Sequence, residues 1–317
     1  MIFIDGIDFG RFGVVLFFLL SGFVIPYSLK PGTTIKQFAI RRFFRLYPIF
    51  WIAVASASTA NVVFLGKKYE ASQLIANLTM APQLLGQNPI SNVYWTLLIE
   101  LAFYVACAIL FAWGTLGKTR VLITASAITA GLTFFPILIN ELTGSKVPVQ
   151  FNSHHLSFLF AGAAIRTEYE SKSWRLSIPY LLILTMTVPT VAGLLPAAKT
   201  PFSTFGTWGL FVAYAAAAFV FLLALRHQFG SNRFFEVLGN SSYSLYLLHW
   251  PVFIVVFSFF ENSASTIPFE VGACLAAAFF VSWLAYKYIE LPSIELGKKF
   301  SRSTQRDRQS LQNPVRP

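Results

Sequence analysis

Long apolar runs alternate with short polar breaks along almost the whole chain, and the runs set its architecture. About 20 apolar residues are needed for a helix to cross the hydrocarbon of a bilayer, and only helices or closed barrels satisfy the backbone there. The pattern predicts about nine such helices, at 12–29, 46–65, 93–113, 121–139, 156–165, 178–195, 205–225, 244–260 and 271–289. The fifth is short for a span. No run shows the period-two alternation of barrel strands, and the runs are too long and too continuously apolar for them. The expected fold class is an all-α integral membrane protein, a polytopic helical bundle. Asp5 and Asp8 precede the first run, which has neither a leading basic segment nor a small-residue cleavage site, so it reads as a retained span rather than a signal peptide.

Composition agrees. Hydrophobic residues make up 56% of the chain and charged residues only 12%, with a mean hydropathy of +0.62. A soluble fold has too little interior to hide that much apolar surface. The seven Trp, 12 Tyr and 34 Phe suit lipid contact, with Trp and Tyr at the interfaces.

The formal charge of +11 raises the question of nucleic acid. That partner requires Lys and Arg gathered on one folded surface, and here they fall between apolar runs, so no nucleic-acid partner is expected. Segments 30–45, 114–120, 166–177, 226–240 and 287–317 hold 19 of the 24 Lys and Arg. These segments alternate with the nine spans, which places them on the cytoplasmic side, supports the short fifth helix and puts the first residue outside. The organisation expected is one transmembrane domain, 1–297, followed by a polar, basic and unstructured cytoplasmic tail, 298–317, resting on anionic membrane lipid. Cys107 and Cys274 both fall in apolar runs and read as small core residues.

Four residues carry candidate chemistry. The stretch Arg41-Arg42-Phe43-Phe44-Arg45-Leu46-Tyr47-Pro48 is the densest cationic cluster. It reads either as a positive-inside anchor snorkelling to headgroups or as a phosphate clamp. Arg42 and Arg45 project to one side of a helix, and guanidinium forks grip phosphate bidentately. Glu100 lies inside an apolar helix, where a charge costs roughly 2.5 kcal/mol or more unless paired or wet. It reads as functional, or as an interhelical hydrogen-bonding group. His249 stands two residues before Pro251, which opens the helix locally. It is a general base or proton relay, or a satisfied core histidine. His154 and His155, being adjacent, point apart on a helix and make a poor metal pair, so no metal is expected. Gly117-Lys118-Thr119 echoes a phosphate-binding loop, but Ala112 stands where the first glycine belongs.

Taken together, the stretches Gly13 to Phe23, Arg42 to Pro48, Trp95 to Glu100, Ser242 to Pro251 and Tyr288-Ile289-Glu290-Leu291-Pro292 resemble the acyltransferase 3 family, in order and over nearly the whole chain. The family consists of membrane enzymes that transfer acyl groups, usually acetyl from acetyl-CoA, to sugars of surface polysaccharides, lipopolysaccharide, peptidoglycan or signalling lipo-oligosaccharides. Within it the chain is most similar to rhizobial exopolysaccharide proteins that acetylate succinoglycan. The resemblance implies that Arg42 and Arg45 contact the phosphates of an acyl-CoA donor. It also implies that Glu100 and His249 occupy motif positions, with Thr96 standing where Ser is usual.

One departure stands out. Family members usually open with a helix bearing an Arg and, some ten residues later, a His regarded as the base; no such pair lies near Met1. Either His249 substitutes, or the protein is inactive, or the helix is encoded upstream; the upstream start is favoured. The function expected is a multi-pass inner-membrane O-acetyltransferase of exopolysaccharide biosynthesis. Acetyl-CoA is its donor, a sugar or lipid-linked oligosaccharide its acceptor, and other polysaccharide-synthesis proteins are possible partners. His249 and Glu100 are the candidates for moving the proton and stabilising the oxyanion. The rivals are a transporter or flippase of a lipid-linked sugar, which should show paired interrupted helices that are not seen, and a noncatalytic subunit of a polysaccharide assembly.

Overall fold

The computed structural model describes residues 8–145, 152–194, 206–227, 233–260 and 267–312. Among them are α-helices α1 (Phe9–Val24), α2 (Ile35–Leu65), α3 (Ala71–Asn77), α4 (Trp95–Ala112), α5 (Thr119–Thr143) and α6 (Asn152–Ser171). They continue with α7 (Ser177–Leu194), α8 (Gly206–His227), α9 (Arg233–Phe257), α10 (Ile267–Ala285) and α11 (Leu291–Gln312). No strand occurs among the described residues, and each of the nine expected spans overlaps a helix. Residues 195 and 205, at the ends of two expected spans, lie outside the described residues.

Six helical stretches among the described residues are long and apolar enough to cross a membrane: Phe9–Ser28, Ile35–Leu65, Trp95–Ala112, Thr119–Asn140, Trp208–Arg226 and Ile267–Arg302. Large apolar side chains such as Trp208, 79% exposed, and Phe269, 71% exposed, have no protein cover, as a surface facing lipid requires. The chain is thus a multi-pass helical membrane protein.

The chain divides into two compact units: residues 1–32 with 99–230, and residues 33–98 with 231–317. In the first unit α6 is the central element, in contact with α1, α5 and α7. Its apolar stretch was expected to be short; the helix in fact runs to 20 residues because polar residues extend it at both ends, and most of its middle is buried against protein rather than lipid. It crosses α1 at close range. A Cβ at Gly22 would lie 2.0 Å from the Leu159 carbonyl oxygen, and one at Gly162 would lie 2.3 Å from that of Leu19. Small residues that let backbones touch are what hold helices together where no hydrophobic effect operates between them. The buried carboxylate of Glu168 accepts the Ser177 backbone N–H at 3.0 Å and its hydroxyl at 2.7 Å, tying the end of α6 to the start of α7.

In the second unit α2 packs against α9 and α11, and α9 against α10. The span expected to begin at residue 46 starts eleven residues earlier, so α2 reaches 31 residues and the arginine cluster is part of the same helix. A capping box explains the early start: Thr34 Oγ1 accepts the Gln37 N–H at 3.2 Å, and Gln37 Oε1 accepts the Thr34 N–H at 2.9 Å. The tail also differs from expectation. Instead of being unstructured from residue 298, the chain is helical to Gln312; residues 313–317 lie outside the described residues. The start of this stretch is docked on α2: Phe300 stacks on Phe44 with ring centroids 5.4 Å apart, Arg41 Nε donates to Ser301 Oγ at 3.0 Å, and Gln37 Nε2 donates to the Ser301 carbonyl at 3.2 Å.

Candidate functional site

The second unit holds the larger share of the candidate chemistry, arranged where α2, α9 and the turn before α11 meet. On α2, Arg41 and Arg42 share one turn and Arg45 stands on the next. Arg41 is engaged by Ser301. Arg42 is half-buried, with its guanidinium carbon 5.4 Å from the Phe38 ring centroid. Arg45 is exposed and forms no ion pair within 4.0 Å among the described residues. Pro48, one turn on, cannot donate to the Phe44 carbonyl, which loosens the helix beside the cluster.

Helix α9 contributes a row of hydroxyl groups. Tyr243 donates to the Leu46 carbonyl at 3.3 Å, and Ser244 Oγ donates to Glu290 Oε2 at 2.6 Å. Tyr246 donates to the Val93 carbonyl, and its hydroxyl lies 2.6 Å from Thr96 Oγ1. Pro251 leaves the Leu247 carbonyl without its usual helical donor, and the Tyr94 phenol donates to that oxygen at 3.5 Å. The segment before α4 and its first turn are thereby fastened to α9 inside one unit.

His249, half-buried on α9, places Nδ1 2.8 Å from the Tyr246 carbonyl and 3.2 Å from that of Leu245. A carbonyl can only accept, so the partners put a proton on Nδ1, and the neutral imidazole then carries its lone pair on Nε2. That is the protonation state a general base needs.

Glu100 belongs to the first unit. It is 6% exposed, and its Oε1 accepts the phenol of Tyr104, one turn further along α4. The expected cost of a carboxylate within the membrane is thus reduced by its own helix. The adjacent histidines are likewise core groups of α6: His154 packs against Phe158 at 5.2 Å and Tyr214 at 5.9 Å between ring centroids, and His155 against Phe18 at 5.8 Å.

The first unit also contains a cavity of about 500 Å³ beside Tyr27, Lys30, Gly117, Arg166 and Glu170. Its two cations are already engaged. Lys30 Nζ sits 3.5 Å over the Tyr27 ring, and Arg166 pairs with Glu170 at 2.9 Å. An incoming anion would have to displace these contacts.

Glu290 is the residue that sequence reasoning missed as a site. It is 1% exposed and sits at the end of a π-helical turn, Tyr286–Glu290. The signal was present in Tyr288-Ile289-Glu290-Leu291-Pro292, an acidic residue embedded in an apolar run and followed two positions later by proline. Such π-turns are rare and concentrate at functional sites.

Residues 1–287 match the family model described as an acyltransferase domain. Curated relatives include O-acetyltransferase OatA from Staphylococcus aureus strains NCTC 8325 / PS 47, COL and MRSA252. Each is 23% identical over 329 aligned residues, covering 92% of this chain and 53% of the relative. The chain therefore spans about half the length of the curated relatives it matches. No solved structure matches it.

Proposed function

Because the chain belongs to the acyltransferase 3 family, we propose that it is an O-acetyltransferase of the cytoplasmic (inner) membrane, moving an acetyl group from acetyl-CoA to a sugar hydroxyl. The acceptor is an exopolysaccharide or other surface glycan, free or lipid-linked. The observation that carries this reading is the pair Arg42 and Arg45, one turn apart on a continuous α2, with Arg45 exposed and its chain neighbour Leu46 held by Tyr243, next to the Ser244 that bonds Glu290. Two guanidinium forks on one helix face suit the clustered phosphates of a nucleotide-bearing thioester.

In the proposed step, Arg42 and Arg45 hold the donor phosphates and the thioester reaches between the helices. His249 Nε2 takes the proton of the sugar hydroxyl as its oxygen attacks the thioester carbonyl. The carbon–oxygen bond forms, the carbon–sulfur bond breaks, and the imidazolium returns the proton to the departing thiolate. Glu100, held by Tyr104, is the second candidate residue of the proposal; it can donate a hydrogen bond to an oxyanion only as the protonated acid. A site poor in water strengthens both effects.

The test uses the chain in lipid nanodiscs with radiolabelled acetyl-CoA and a membrane glycan extract. Label should pass to glycan, and Arg42→Ala with Arg45→Ala should abolish incorporation while leaving the protein folded in the membrane. Undiminished incorporation by the double variant would defeat the clamp. Movement of lipid-linked sugar across the bilayer without consumption of acetyl-CoA would favour a flippase instead.

A further inference from the structure

Glu290 combines near-complete burial with an incomplete set of partners. Its Oε2 accepts the Ser244 hydroxyl at 2.6 Å, but Oε1 is buried with no hydrogen-bond partner among the described residues. A buried carboxylate costs several kcal/mol unless it is paired and hydrogen-bonded. The groups around it come from three elements. The charge of Arg45 on α2 reaches both Glu290 and Tyr286, and that of Glu236 on α9 reaches Tyr286.

Local geometry explains why Glu290 is turned inward. The Leu291 N–H bonds to the Tyr286 carbonyl, five residues back. Pro292 cannot supply the bond that an α-helix would make to Tyr288. The extra residue rotates the chain by about 100° relative to a regular helix. Glu290 is thereby buried while Lys287 and Tyr288 stay exposed. Consecutive residues of α9 bracket the cluster: Tyr243 holds the Leu46 carbonyl beside Arg45, and Ser244 holds Glu290.

We infer that Glu290 is a positioning residue for the donor site: when a donor docks, the exposed Arg45 side chain turns one edge of its guanidinium to the unpartnered Oε1, a bond it does not make in this structure, and presents the opposite edge to phosphate. Guanidinium has five donors in a rigid fork, enough to serve a carboxylate and a phosphate at once. This inference rests on the donor reading of Arg42 and Arg45. Ser244 orients the carboxylate by occupying its other oxygen.

The experiment measures coenzyme A binding by calorimetry to the full chain in nanodiscs, together with steady-state acetyl transfer. Glu290→Gln keeps the volume and the oxygen that accepts from Ser244 but removes the charge. It should weaken coenzyme A binding about tenfold and raise KM for acetyl-CoA with kcat unchanged. Arg45→Ala should weaken binding at least as much, and the double variant should be no weaker than Arg45→Ala alone, because Glu290 acts through Arg45. Unaltered binding by Glu290→Gln, losses that add, or a fall in kcat at constant KM overturns the inference. If the unaltered chain itself fails to bind coenzyme A, the donor reading fails and takes this one with it; if it binds and only Glu290→Gln is silent, the donor reading stands.

Discussion

Gly22 of α1 lies so close to Leu159 of α6 that a Cβ built on the glycine would sit 2.0 Å from the leucine carbonyl oxygen. Backbone cannot swing aside as the end of a flexible side chain can, so the crossing depends on hydrogen at this position. Gly22→Ala should lower stability by about 3 kcal/mol, the upper part of the usual range for overpacking. Gly131 on α5 is the control, since a Cβ there meets nothing within 4 Å; Gly131→Ala should not destabilise. Thermal unfolding in detergent, followed by loss of the monodisperse peak, checks both.

The hydroxyls of Tyr246 and Thr96, 2.6 Å apart, join α9 to the first turn of α4. Interhelical hydrogen bonds in membranes contribute about 0.6 kcal/mol on average. Tyr246→Phe and Thr96→Val should each cost about 1 kcal/mol, and the double variant should cost less than the two together. Strictly additive losses in the same unfolding assay would show that the contact contributes nothing.

His249 keeps Nδ1 on its own helix and leaves Nε2 with a lone pair. Asparagine can imitate the Nδ1 donor but has no counterpart of Nε2. His249→Asn should therefore reduce kcat for acetyl transfer by roughly 10² to 10⁴, leaving KM for acetyl-CoA within about twofold. A variant with normal kcat assigns the proton to another group.

The docked start of α11 gives a simpler test. Phe300 stacks on Phe44, and Ser301 bonds to Gln37 and Arg41. Phe300→Ala should release this segment from α2, seen as faster trypsin cleavage at Lys298 and Lys299 in intact nanodiscs. Cleavage at the unaltered rate would mean that the stacking does not hold it.

Much of the protein was legible as a string. Apolarity over some 20 consecutive residues is a local property, so all nine expected spans overlap helices, and the positions of Arg42, Arg45, Glu100 and His249 on helices followed directly. The errors had two sources. Helix α2 began earlier than its apolar part because Thr34 and Gln37 form a cap that hydropathy does not register, and the start of α11 is held on α2 by Ser301, whose partners lie far along the chain.

By itself, then, the sequence determined a multi-pass helical membrane protein with a cationic turn, an intramembrane carboxylate and a histidine beside a proline, because each of these depends only on neighbours along the chain. Tertiary structure alone decided that Ser244 meets Glu290 across 46 positions and that Tyr243 meets Leu46 across 197. The reason is physical. A polar group in a low-dielectric bundle must find a partner wherever packing brings one, and which helix faces lie together is set by side-chain shape, by glycines such as Gly22 and by turns such as the one before Pro292.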